Sequence, residues 1–180
     1  MSALQYMADH RLGGRVLVTF NWAQYALASF AHNDPQSRIA IDGRFRTCYP
    51  QPVIDMYFDF ILGESPDSGR YREAASGPFD PRKALAWKSP DLVLLERQRH
   101  PQATQTMRST DDWCLLYQDG LAELWGRSSR FDDHTSPDWM PTSQRHISDD
   151  TQTGSVDWPA FPQRSPAAVT KQAASVRQRL

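Results

Sequence analysis

The sequence predicts an α/β domain, a three-layer Rossmann-like sandwich with a mostly parallel sheet and a C-terminal antiparallel hairpin. Three observations predict it. Short apolar runs at 16–20, 39–41 and 92–95 lack alternation, as strands buried on both faces do. The segments between them carry apolar residues at helical spacing. Near residue 120, two further apolar runs flank an Asp-Gly turn, a strong hairpin signal. Strands alternating with helices in this order favour a layered α/β arrangement.

Each element has its own signal. Leu4, Met7, Ala8 and Leu12 recur at roughly helical spacing, and Gly13-Gly14 stops that first helix. Val16 to Phe20 form the first strand. Asn21 is the expected cap of a helix starting at Trp22, whose stripe is Trp22, Tyr25, Ala26 and Phe30. Ile39, Ala40 and Ile41 make a second strand, closed by Asp42-Gly43. Pro52 suits a first helical turn, and Val53, Ile54, Tyr57, Phe58, Ile61 and Leu62 form the clearest stripe in the chain, ended by Gly63. Residues 64–79 read as a mobile loop, 81–86 as a short helix, 92–95 as a buried strand and 101–109 as a weakly amphipathic helix. Strands at 113–117 and 121–125 flank Asp119-Gly120, where glycine is expected to supply a positive φ.

Composition divides the chain. Its 180 residues suit one domain, with 39% hydrophobic and 23% charged residues. A mean hydropathy of -0.63 is low for a compact domain and implies polar residues gathered somewhere. They gather after Arg127. The α/β domain is therefore placed at 1–128, with 129–180 a polar, largely disordered tail. Asp157 to Pro162, with its Trp158 and Phe161, is the part of that tail expected to fold back onto the domain.

Several classes are disfavoured. A net charge of -1 leaves no electrostatic footprint for nucleic acid. No apolar run reaches the length of a membrane span, and the first residues lack a signal peptide's pattern. Cys48 and Cys114 form no CxxC motif and read as small buried hydrophobes, with a disulfide between them as the alternative. No cofactor or metal site is expected. His134 after Asp132-Asp133, with His146, matches no ligand spacing.

Ligands of open α/β sheets collect beyond the carboxyl ends of the strands. Those ends supply Asn21 and Trp22, then Asp42, Gly43 and Arg44, then Glu96 and Arg97. Asp42 stands about where an acidic residue holds a ribose. However, the turn Phe20-Asn21-Trp22 has no glycine to admit a pyrophosphate. The structural reading of Asp42-Gly43-Arg44 is a strand-closing turn with a local ion pair.

Phe20-Asn21-Trp22 with Tyr25, then Ile41-Asp42-Gly43-Arg44 with Tyr49, resembles the soluble C-terminal, extracytoplasmic domain of bacterial polytopic GT-C-type membrane glycosyltransferases. There a strand leads into F-x-W-G-x-Y and a second strand ends in D-G-R. Asp91 to Leu95 and the hairpin at 113–126 complete the likeness, which covers roughly residues 4–127. Ala23 departs from the usual glycine. The resemblance implies a noncatalytic accessory or recognition domain, because the catalytic carboxylates of such enzymes lie in their membrane-embedded part. It implies a glycan or membrane-protein partner, contacted through Asn21, Trp22, Tyr25, Asp42 and Arg44. The alternatives are a free-standing cytoplasmic α/β enzyme or nucleotide-binding domain, and a protein-interaction module tethered by its tail.

Overall fold

The computed structural model describes residues 2–64, 72–151 and 162. Helix α1 (Ser2–His10) leads into strand β1 (Arg15–Val18), helix α2 (Phe20–Asn33) and strand β2 (Arg38–Ile39). Helices α3 (Gln51–Leu62) and α4 (Lys83–Ala86) precede strand β3 (Leu92–Glu96). Helix α5 (Pro101–Arg108) precedes the hairpin of β4 (Trp113–Gln118) and β5 (Ala122–Arg127). A short helix α6 (Ser128–Phe131) and strand β6 (His146–Ile147) follow.

The fold is α/β with one mixed six-stranded sheet, ordered β2-β1-β3-β5-β4-β6. Strand β1 pairs in parallel with β2 and β3, and β6 pairs in parallel with β4. The β3–β5 and β4–β5 pairs are antiparallel.

Side chains alternate across the sheet and feed two cores. Val16, Val18, Leu92, Leu94 and Leu124 join α1 and α2 on one face. Leu17, Val93, Leu95 and Trp125 join residues of α3, α4 and α5 on the other. Full burial of each Val or Leu contributes roughly 1.5–3 kcal/mol, so β1 and β3 gain on both faces. That is why their sequences are continuous apolar runs. Tyr57 of α3 donates its hydroxyl to the Val18 carbonyl at 3.0 Å, tying helix to strand end.

The buried carboxylates enter the interior with partners. Asp55 and Asp59, one helical turn apart on α3, are both fully buried. Asp55 accepts from the Glu73 amide (2.9 Å), the Ser76 hydroxyl (2.7 Å) and Gln51 (2.9 Å). Asp59 pairs with Arg72 at 2.9 Å. Residues 72–79 are therefore pinned to α3, which corrects the expectation of a mobile loop for that part; 65–71 lie outside the described residues.

Glu123 is the third described carboxylate with no solvent exposure. Its Oε1 pairs with Arg108 at 2.6 Å and with Arg97 at 3.2 Å, and the Trp125 indole N–H donates to Oε2 at 3.0 Å.

Four further expectations are corrected. Helix α2 starts at Phe20 with Thr19 as its cap, because the Thr19 carbonyl already takes the Trp22 amide at 2.9 Å. Asn21 lies inside the first turn. Gly120 does not supply a positive φ at the hairpin. There the Asp119 carboxylate accepts the Leu121 and Ala122 amides at 2.8 and 2.7 Å and sets the turn. A Cβ at Gly120 would meet the Asp149 and Asp150 carbonyls at 3.2 and 3.3 Å, so its glycine admits a later segment. Cys48 is exposed, and both cysteines are free.

The fourth correction concerns residues 129–151 of the expected disordered tail; 152–161 and 163–180 lie outside the described residues. Residues 128–151 are folded against the domain. Phe131 is 1% exposed and Met140 4%. Both belong to the core of α1 and α2, and the Tyr6 hydroxyl reaches the Met140 sulfur and the Gln144 carbonyl. Gly126 makes room for this: a Cβ there would lie 2.4 Å from the Phe131 ring. Strand β6 then extends the sheet beyond β4. Residues 157–161 lie outside the described residues, while Pro162 is buried and its carbonyl accepts from Asn33.

Phe131→Ala is expected to cost about 3–5 kcal/mol in urea unfolding, and Gly126→Ala about 1–3 kcal/mol from overpacking. An unchanged midpoint for Phe131→Ala would mean that the segment after Arg127 adds nothing to the core. Glu123→Gln leaves two guanidiniums facing a neutral amide, and its expected cost is also about 3–5 kcal/mol.

Candidate functional site

Strand β1 has β2 on one side and β3 on the other, so the chain reverses its direction of winding there. Helix α2 leaves β1 on one face, and α5 follows β3 on the opposite face. Diverging connections open a crevice at the carboxyl ends of β1 and β3, the usual ligand position in such sheets. In this structure a side-chain bond crosses it: the Asn21 amide donates to the Glu96 carboxylate.

Beside that bridge lies the end of β2. Asp42 is 3% exposed and faces Arg44, which is largely in solvent. The Arg44 Nε lies 3.0 and 2.9 Å from the two carboxylate oxygens, and Nη2 is 2.7 Å from Oδ2. The Arg44 backbone amide adds a bond of 3.0 Å to Oδ1. These bonds, the side-chain one foremost, hold the Asp42 carboxyl below its usual range against the opposing effect of burial. Asp42 in turn raises the Arg44 guanidinium. Asp42 is therefore a fixed anion that orients a guanidinium, poorly suited to exchanging a proton near neutral pH.

Three phenylalanines border the pair. The Phe20 and Phe45 rings are 5.5 Å apart, and Phe45 and Phe58 are 5.4 Å apart, both within the range of favourable aromatic pairs. Phe20, the first residue of α2, is 37% exposed. Phe45 has a φ of +35°, in a region that bulky side chains avoid. Such strain costs on the order of 1–3 kcal/mol and clusters at functional sites. Gly43, Arg44, Phe45, Gln51, Ile54 and Phe58 line a cleft of about 520 Å³ there.

The five expected site residues divide between two faces. Asn21, Asp42 and Arg44 lie at the strand ends, Asn21 bonded to Glu96 and Asp42 to Arg44. Trp22 is buried in the core of α1 and α2, and Tyr25 packs against that same core. Successive helix residues point about 100° apart, so Asn21 and Trp22 cannot share one surface. Of the other strand-end residues, Gly43 is exposed and lies close to the Phe20 carbonyl, while Arg97 turns away to Glu123. Phe20 and Phe45 were absent from the expected set. Phe20 looked like the end of a buried strand, and nothing in the local pattern marks the backbone conformation of Phe45.

Among the described residues, no group of three or more His, Cys, Asp or Glu is placed to hold a metal ion. In the segment singled out for such ligands, Asp132 pairs with Arg145 and Asp133 accepts from Thr135. No described helix is long and apolar enough to cross a membrane. The chain matches none of the protein-family models, curated proteins or solved structures with which it was compared.

A carboxyl-resolved NMR titration is expected to place the Asp42 midpoint below the ordinary value of about 3.9. Because its folded pKa is depressed, the pair contributes its stability in full above about pH 4 and loses it as pH falls through the folded midpoint. In Arg44→Gln the Asp42 midpoint is expected to rise. A midpoint indifferent to that change would show that the pair does not govern the titration.

Proposed function

We propose that this chain is a noncatalytic recognition domain that contacts a glycan at the carboxyl ends of β1 and β2. The reading takes it to be similar to the soluble C-terminal domain of bacterial polytopic GT-C-type membrane glycosyltransferases, and extracytoplasmic if joined to such a membrane part. The observation that carries it is the Phe20–Phe45–Phe58 cluster beside the Asp42–Arg44 pair. Aromatic faces suit the apolar face of a sugar ring, and an oriented guanidinium donates to its hydroxyls. The strained Phe45 backbone supports a binding role at this place. Asp42, already bonded to Arg44, supports positioning rather than proton transfer.

The division of helices between the two sheet faces supports a three-layer, Rossmann-like arrangement, in which ligands usually bind at the carboxyl ends of the strands. A nucleotide-binding reading has less behind it. The β1–α2 turn presents Phe20 and Asn21 where a glycine would let a phosphate approach the backbone.

Titration with neutral oligosaccharides, followed by amide NMR, tests the proposal. The expected outcome is a perturbation centred on Gly43, Arg44 and Phe45, with affinity about tenfold weaker in Phe20→Ala, a loss of roughly 1.4 kcal/mol. Phe20 is partly exposed, so that variant is expected to keep its fold. Thermal stabilisation by a nucleotide or S-adenosylmethionine, abolished in Asp42→Ala, would support the nucleotide reading instead. Turnover of a lipid-linked sugar by the purified chain would contradict a noncatalytic role.

A further inference from the structure

A second cleft, of about 590 Å³, lies between α5 and the β4–β5 turn. Thr104, Gln105 and Arg108 stand on its helical wall, facing Arg97, Gly120 and Asp149. It shares no lining residue with the cleft at Phe45, so it stands or falls independently of the glycan reading.

The groups holding the Asp149 carboxylate belong to a rigid frame. Arg97 is fixed through its Nε to the buried Glu123 at 3.2 Å, and its Nη1 donates to the Asp119 carbonyl at 2.6 Å. The same Nη1 donates to Asp149 Oδ1 at 2.8 Å. Gln118, nine-tenths buried, donates its side-chain N–H to that same oxygen at 2.8 Å. A carboxylate oxygen thus sits between two donors, Arg97 held by its other bonds and Gln118 carried on the paired end of β4. The occupant is held far less firmly. The Asp149 side chain is 78% exposed, and a surface ion pair of this kind is weak. Thr104, on the wall opposite Asp149, buries a hydroxyl that has no hydrogen-bond partner among the described residues.

We propose that Arg97 and Gln118 form a receptor for the carboxylate of a small acidic ligand, with Asp149 its intramolecular placeholder. The body of the ligand lies in the cleft along Thr104 and Arg108. Charge selects the class. Arg97 and Arg108 bring two positive charges, of which Glu123 neutralises one and Asp149 the other. Displacing Asp149 leaves a single positive charge, matched by one carboxylate and exceeded by a phosphate dianion. A preorganised receptor loses little freedom on exchanging one carboxylate for another, so the exchange is nearly neutral and the rest of the ligand decides affinity. The Arg97 bond also holds the Asp149 carboxyl below its usual range, consistent with a pocket that favours the ionised form.

The test uses the full chain with glucuronate as probe and with glucose and inorganic phosphate as comparisons. Isothermal titration and amide NMR are read together. Glucuronate is expected to perturb the Gln118 side-chain amide and the Gly120 backbone amide. Asp149→Ala is expected to bind it about fivefold more tightly, the factor that removing a competing surface ion pair provides. Arg108→Gln in the Asp149→Ala background is expected to weaken it again; because Arg108 is half exposed, a thermal melt of that variant separates loss of binding from loss of fold. Equal binding of glucose, tighter binding of phosphate, or no binding of glucuronate by Asp149→Ala would each overturn the proposal.

Discussion

A carboxylate with no solvent exposure sits second in strand β5, beside the hairpin turn, and much of the molecule's second half is organised around it. An unpaired charge in that position would cost several kcal/mol. Glu123 avoids the penalty by drawing Arg97 from the end of β3, Arg108 from the last turn of α5 and the indole N–H of Trp125. Strand, helix and hairpin are thereby fixed relative to one another. The same requirement sets register: a one-residue slip of β5 would carry Glu123 to the opposite face, among Val18, Leu94 and Phe131, where no partner waits.

This anchor also reaches the surface. The guanidinium that satisfies Glu123 continues to the Asp119 carbonyl and to Asp149, so the hairpin turn and the strap after β6 are bound to the same charge network. At the strand ends the logic is different. There the winding reverses at β1, and the polar groups pair locally, Asn21 with Glu96 and Asp42 with Arg44. One end of the sheet thus carries two separate polar assemblies, one tied to the core and one lying over it.

The parts of the fold that were legible in the sequence are those specified by periodicity. The stripe of α3 and the apolar runs of β1, β3, β4 and β5 follow from repeated burial, which leaves a repeated pattern. The segment after Arg127 was illegible because its anchors are single residues. Phe131 and Met140 are nine residues apart with no face between them, and the rest of the attachment is the short β6 pairing and scattered polar contacts such as Arg130 with Asp91 and the Gly13 carbonyl. Two glycines held a partial signal, Gly126 beneath the Phe131 ring and Gly120 against the Asp149 and Asp150 carbonyls, but a vacancy in one strand does not name its occupant. The candidate site was legible to the same extent. Asp42-Gly43-Arg44 reads directly as a turn with an ion pair. The partnership of Phe20 with Phe45 depends on a positive φ and on two strand ends lying side by side, neither of which composition encodes.

Strand β6 has a consequence for the protein's behaviour in a crowd. Without it, the six-residue β4 would be the border of the sheet, with a row of unpaired amides and carbonyls able to recruit another chain. With it, Tyr117 and Gln118 at the end of β4 gain parallel partners, and the outermost strands are two residues each, Arg38–Ile39 at one side and His146–Ile147 at the other. Strands so short offer little ladder for intermolecular pairing, and Arg38 places a charge on one of them. The segment that looked like surplus chain therefore shortens the open edge of β4 by its last two residues.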